Sequence, residues 1–279
     1  MIDVHIHVTP PRLPGVGPLM PILQQSPEQI ATALRREMRY AGIQQACAIG
    51  CWNGGDNDPL GLATTLAVAA QTPGLRLIGV ADPTRTDPLH LQRVEQLLAS
   101  GTVVALKLYL GYLHYEPAHP NYRPYYELAA RYKLPVFLHT GDTFSPKAKL
   151  KYAHPLGVDE VAVDHPDVHF VLCHVGNPWM LDAAEVIYKN LNVWADLSGL
   201  LIGDEQDFAN PDMEEHIAEL ADRLVKAIRY SERPNRFLYG SDWPLAPMLP
   251  YRNALLRILP THWHELIFVE NARRLLRLP

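Results

Sequence analysis

A handful of side chains in this sequence have the types and spacing needed to hold a metal ion. His5 and His7 stand two apart in a short apolar run, so on an extended strand both imidazoles face the same way. His139 closes the run PVFLHT, His174 closes VHFVLCH, and Asp242 follows Tyr239-Gly240-Ser241 late in the chain. Lys107 lies near the end of VVALKLYL. Neutral imidazole and carboxylate bind Zn²⁺, Mn²⁺ or Fe²⁺ without thiolate, and a catalytic site of this kind leaves one position open for water. The pKa of water bound there falls towards about 7, which supplies hydroxide at neutral pH.

Such side chains act together only if the fold brings them to one place. Eight apolar, β-branched runs occupy residues 2–8, 43–51, 75–81, 103–110, 135–140, 168–174, 191–198 and 236–242. Most are apolar at nearly every position, as suits strands buried on both faces of a parallel sheet. Helices separate them. Ser26-Pro27-Glu28 reads as a cap, a first-turn proline and a dipole-matched acid, and Gly42 reads as the stop of that helix. Pro88 opens a second helix, and residues 122–132, 178–189, 211–230 and 262–278 predict others. Eight strands alternating with helices predict one α/β domain over residues 1–279, a (β/α)₈ TIM barrel. A doubly wound sheet would offer a glycine-rich turn after its first strand, whereas Val8 runs into Thr9-Pro10-Pro11. In a barrel the chemistry sits at the C-terminal ends of the strands, where all four histidines and Asp242 fall.

Composition narrows the partners. The 279 residues are 48% apolar and 20% charged, which excludes a disordered chain. Twenty-five Lys and Arg against thirty Asp and Glu give −5, with no basic excess for nucleic acid or an anionic membrane. Three cysteines (Cys47, Cys51 and Cys173) form no disulfide framework, which suits a reducing cytoplasm. The first fifteen residues do not read as a secretory signal, and no apolar stretch is long enough to span a bilayer. A small-molecule substrate is expected, and a homo-oligomer stays open.

In order and spacing, these segments resemble the amidohydrolase superfamily, in the branch that holds aminocarboxymuconate-semialdehyde decarboxylase-like and resorcylate-type decarboxylases beside hydrolases. The resemblance runs from Asp3-Val4-His5-Ile6-His7 through Leu106-Lys107-Leu108 and Pro135-Val136-Phe137-Leu138-His139-Thr140-Gly141. It continues through Cys173-His174-Val175-Gly176, Asp196-Leu197-Ser198-Gly199 and Tyr239-Gly240-Ser241-Asp242-Trp243-Pro244 to Glu270-Asn271-Ala272-Arg273-Arg274-Leu275. It implies that His5, His7 and His139 ligate a divalent metal, most readily Zn²⁺, with Asp242 completing the set. His174 is then either a ligand or the group that polarises the reacting atom. Asp242 serves as general base, passing a proton from water to a leaving group. Asp3 reads as support for the His-x-His pair, sharing a face with His5 by alternation.

Lys107 keeps three readings open. A lysine at this place is carboxylated and bridges two metals in binuclear members of the superfamily, the decarboxylase-like branch works with one, and a lysine also contacts anionic substrates. One ion is favoured over two. The cysteines read as packing rather than ligands. Tyr109, Tyr112, His114, Asp142, Thr143, Asn177 and Trp179 follow the strand ends and face a substrate, and Arg12 in the long first loop could clamp a carboxylate. The reading implied is a metal-dependent hydrolase of a small carbonyl substrate. A metal-dependent decarboxylase of a carboxylated ring is the rival, and a binding barrel without activity is the weakest alternative.

Overall fold

The computed structural model describes residues 1–278. Eight strands form one parallel sheet in sequence order: β1 (Ile2–His7), β2 (Gln45–Ile49), β3 (Leu75–Val80), β4 (Val103–Leu108), β5 (Val136–Leu138), β6 (Phe170–Leu172), β7 (Val193–Asp196) and β8 (Phe237–Leu238). Each pairs with the next, and the last returns to the first. The Val4 N–H donates to the Tyr239 carbonyl at 3.0 Å, the Asp242 N–H to His5 O at 2.9 Å, and Trp243 bridges Ile6. The result is a nearly closed TIM-type barrel, as the alternating pattern predicts.

All eight expected strands are present, each shorter than its apolar run. Beyond Leu138, Leu172 and Leu238 the backbone leaves the ladder to place side chains over the mouth. Outside the sheet lie α1 (Pro27–Ala41), α2 (Ala63–Ala69), α3 (Pro88–Ala99), α4 (Arg123–Tyr132), α5 (Gly157–Asp164), α6 (Met180–Lys189), α7 (Glu205–Ala209), α8 (Asp212–Tyr230), α9 (Met248–Ile258) and α10 (Asn271–Leu276). Helix α1 shows why its boundaries were readable. Ser26 and Gln29 form a reciprocal capping box, and Gly42 ends the helix at φ 66°, where a side chain is strained. The helix predicted over 262–278 is broken instead into a 3-10 turn (Thr261–Trp263), a π turn (Leu266–Glu270) and α10.

Two buried layers result. The lumen holds Cys47, Ile49, Ile78, Val80, Ala105, Phe137, Val171, Trp194 and Leu238, closed below by Ala272, Leu275 and Leu276 of α10. Between sheet and helices lie Ile30, Leu34, Ala46, Leu77, Leu106, Phe170 and their neighbours. Strand β1 crosses from one phase to the other. Its register against β2 slips between Asp3 and Ile6, so Ile2 and Val4 pack in the lumen while Ile6 and Val8 pack outward. This bulge breaks the strict alternation that would place Asp3 and His5 on one face.

Candidate metal centre

The mouth of the barrel opens into a pocket. His5, His7, Lys107, His139, His174 and Asp242 all line it. His5 and His7 arrive from β1, below the surface of the mouth. His139 follows β5 directly. His174 and Asp242 stand on turns that force non-glycine residues into left-handed backbone, at φ 59° and 61°, and Val175 beside His174 is at 42°. Strain of this kind persists where surrounding contacts over-determine it, and it gathers at functional sites. Gly199, at φ 64°, makes the approach possible: a Cβ there would sit 2.8 Å from Asp242 Oδ2 and 2.9 Å from His174 Nδ1.

Asp242 Oδ1 lies 3.4 Å from His5 Nε2 and 3.3 Å from His7 Nε2. It is buried and makes no hydrogen bond of proper geometry with either, and His7 Nδ1 is also buried without a partner. Ligand atoms of His5, His7 and Asp242 fall within 4.8 Å of one another, the spacing of donors around a common cation. Burial alone would raise the Asp242 carboxyl, but His5, His7 and His174 outweigh it and hold the group well below the usual carboxylate range. Burial drives the His5 imidazole down to about 4 despite Asp196 and Asp242 nearby. His139 is also held well below its ordinary value, by burial first and then by the neighbouring His174 and Lys107. The imidazoles His5 and His139 are therefore neutral bases, the form that binds metal.

The hydrogen bonds supply a second test of fit. His139 Nε2 must donate to the Asp142 carbonyl at 2.8 Å, which leaves Nδ1 as its lone pair. His174 Nδ1 donates to the Ser198 carbonyl at 3.0 Å, so a neutral His174 bares Nε2. These two nitrogens face each other at 3.2 Å. Two lone pairs at that distance repel, and a shared cation between them removes the conflict. The residues present therefore fit a divalent ion held by nitrogen and carboxylate oxygen.

The structure brings together the five residues proposed as ligands or catalytic groups and places Lys107 at the same pocket. Lys107 is 1% exposed, donates to Cys173 Sγ at 2.8 Å and lies 5.5 Å from the Tyr109 ring centroid. Cys173 thus contacts a pocket lysine, because it shares the luminal face with Val171, and the left-handed turn at His174 brings that residue to the mouth as well. Cys47 and Cys51 are buried and unpaired. Tyr109, Tyr112, Asp142 and Asn177 line the pocket, with Tyr112 packed 4.8 Å from His139 between ring centroids.

Arg12, His114, Thr143 and Trp179 do not line it. Arg12 is exposed, because the first loop turns its neighbours Pro11 and Leu13 inward instead. His114 donates to the Lys147 carbonyl and stacks on Tyr152, and Trp179 packs on His154. Asp3 is fully buried and accepts the backbone N–H groups of His5 and Ser241, both at 3.1 Å, so it supports the mouth through the backbone of both elements.

Two residues with no role assigned from sequence stand at the centre. Asp196 Oδ2 accepts from His5 Nδ1 at 2.9 Å, and Ser198 Oγ lies 3.0 Å from both His5 Nδ1 and His174 Nδ1. Their signal was available in Asp196-Leu197-Ser198-Gly199, which closes the seventh strand at the same barrel end.

The amidohydrolase family matches the chain over residues 2–278, and the chain belongs to that family. No curated protein matches it in sequence. Among solved structures, an amidohydrolase from Burkholderia multivorans with bound zinc is 18% identical at a TM-score of 0.69, with 100% of this chain and 99% of that chain covered. The 5-carboxyvanillate decarboxylase of Sphingomonas paucimobilis is 15% identical at 0.61, covering 100% and 99%. A 5-carboxyvanillate decarboxylase from Novosphingobium aromaticivorans, complexed with manganese and 4-hydroxy-3-methoxy-5-nitrobenzoic acid, is 12% identical at 0.60, covering 87% and 79%. At these identities the likeness is one of fold. No helix among the described residues is long and apolar enough to cross a membrane.

Proposed function

We propose that the protein is a metal-dependent hydrolase that splits the acyl C–O or C–N bond of a lactone, an amide or a related carbonyl compound of small size. The observation that carries this reading is the convergence of His5, His7, His139, His174 and Asp242 on one pocket at the barrel mouth. His5, His7 and His139 would hold the ion with Asp242, and His174 would join them through its bare Nε2 or, once protonated there, polarise the substrate. Zn²⁺ suits this donor set, Mn²⁺ and Fe²⁺ are the alternatives, and one ion suffices. The zinc and manganese bound in the two similar structures support the choice. A bound divalent ion supplies Lewis acidity and lowers the pKa of water towards about 7.

The chain's own residues do the rest. Asp242 takes a proton from the attacking water and returns it to the leaving atom. The bared Nε2 of His174 turns towards the same space. Pro11, Leu13, Val16 and Leu19 from the first loop, with Phe144, Ile202 and Leu245, exclude bulk water and bind an apolar substrate body.

Decarboxylation of a carboxylated ring is the second reading. It is favoured by that apolar lining, by Lys107 at the pocket and by the decarboxylases among the similar structures. Products separate the two. Metal-loaded protein is incubated with lactones, amides and carboxylated phenols, and both water incorporation and CO₂ release are measured. Hydrolysis without CO₂ is expected; CO₂ release without hydrolysis overturns the first reading in favour of the second.

A further inference from the structure

The hydrogen bonds around β7 determine where the protons sit on two of the metal-centre imidazoles. Asp196 is fully buried and has four donors on it. Its Oδ1 accepts the His174 N–H at 3.0 Å, the Ser198 N–H at 3.1 Å and the Ser198 hydroxyl at 2.5 Å, and Oδ2 accepts from His5 Nδ1. Ser198 Oγ has one proton, and it points to Asp196. Towards His5 Nδ1 and His174 Nδ1 the hydroxyl can therefore only accept. Both imidazoles must carry their proton on Nδ1. The His174 backbone, left-handed at φ 59°, is pinned by the same carboxylate.

We propose that Asp196, acting with Ser198, is a positioning residue that locks His5 and His174 in the Nδ1–H tautomer and keeps their Nε2 lone pairs turned into the pocket. A metal-ligating histidine depends on such an outer partner for its ring orientation and basicity. Here one carboxylate serves two imidazoles and the strained turn that carries one of them. An amide at this position has the same shape but opposite chemistry on one side. In D196N the NH₂ group must face either His5 Nδ1 or the three donors on Oδ1. Two of the Oδ1 donors are backbone N–H groups that cannot turn away, so the NH₂ faces His5, forces the proton onto Nε2 and blocks the lone pair that would bind metal.

The test has two readouts, and the second rests on the metal reading above. Protein labelled with ¹⁵N-histidine, freed of metal, is examined by long-range ¹H–¹⁵N spectra, with His5 and His174 assigned by single replacements. The wild type is expected to show both as Nδ1–H. D196N is expected to move His5 to Nε2–H, with a thermal melt showing that it is folded. Co²⁺ titration followed by visible absorption is expected to show about a 10–100-fold weaker affinity in D196N. A wild-type His5 carrying its proton on Nε2 overturns the proposal even if D196N does not fold. So does a folded D196N with the wild-type tautomer, or with the Co²⁺ affinity of a wild type that binds Co²⁺. If the wild type shows the expected tautomers and binds no Co²⁺, the metal reading fails and the tautomer lock stands.

Discussion

The two ends of the barrel solve opposite problems with the same strands. At the N-terminal end, Ile2, Trp194 and Leu238 meet Leu275 and Leu276 of α10 in an apolar plug. At the C-terminal end, the lumen widens into imidazole, carboxylate and amine, and three non-glycine residues of the adjoining turns are left-handed. Packing at the lower end stabilises the fold, and the upper end spends part of that stability on buried polar groups and strain. The difference predicts that mutations at the two ends change different measurements.

The largest effect belongs to the mouth. D242N removes both a ligand oxygen and the proton carrier, so kcat should fall by about 10²–10⁴-fold while the melting temperature of the metal-free protein holds. A matching loss of fold, or retained turnover, would erase the contrast between the ends. Leu275→Ala at the plug should cost about 2–5 kcal/mol in urea unfolding, because it leaves a cavity in the buried cluster that fills the lumen. It should leave kcat/KM near the wild-type value, and a collapse of activity at full folding would show that the ends are coupled.

Asp3 lies between them and sharpens the comparison through pH. Burial raises its carboxyl from 3.8 to about 7. Below about 4 it is protonated in both folded and unfolded chains and contributes no pH dependence. Between about 4 and 7 the folded chain retains a proton that the unfolded chain has lost, so stability falls as pH rises. The amide introduced by D3N has no such proton to lose. The stability of D3N relative to wild type should therefore improve from pH 4 to pH 8, by on the order of a few kcal/mol, in chemical denaturation of metal-free protein. Equal pH slopes would remove Asp3 from this role.

The smallest effects separate the pocket wall from its outer rim. Alanine at Arg12, His114 or Trp179 should leave kcat/KM within about twofold, as substitutions away from a site do. A tenfold loss in any of them would extend the pocket beyond its present lining.

The barrel was legible because continuous apolar runs mark parallel strands, and the four histidines were legible because such runs end at one rim. Less visible were helices without local signals. Helix α5 begins at Gly157 without a side-chain cap, and α9 carries Pro250 in its first turn. The broken end of the predicted 262–278 helix had no proline or glycine to announce it. Loop residues were harder still. Arg12 and Leu13 are neighbours, yet one faces solvent and the other the pocket, and only the path of the loop decides which. Asp196 and Ser198 were in view as letters, but their partners, His5 and His174, belong to distant strands.

The register slip in β1 has a consequence for how that strand tolerates change. It acts as a built-in change of frame: the residues below it are read in one phase and those above in the other. Ile2 and Val4 can be exchanged for other apolar residues of similar size without moving His5. Pairing all of these residues without the slip would restore the simple alternation, carrying Ile6 into the lumen and both histidines out beneath the helices. In that short stretch the slip, more than the identity of Ile2 or Val4, keeps the site in register.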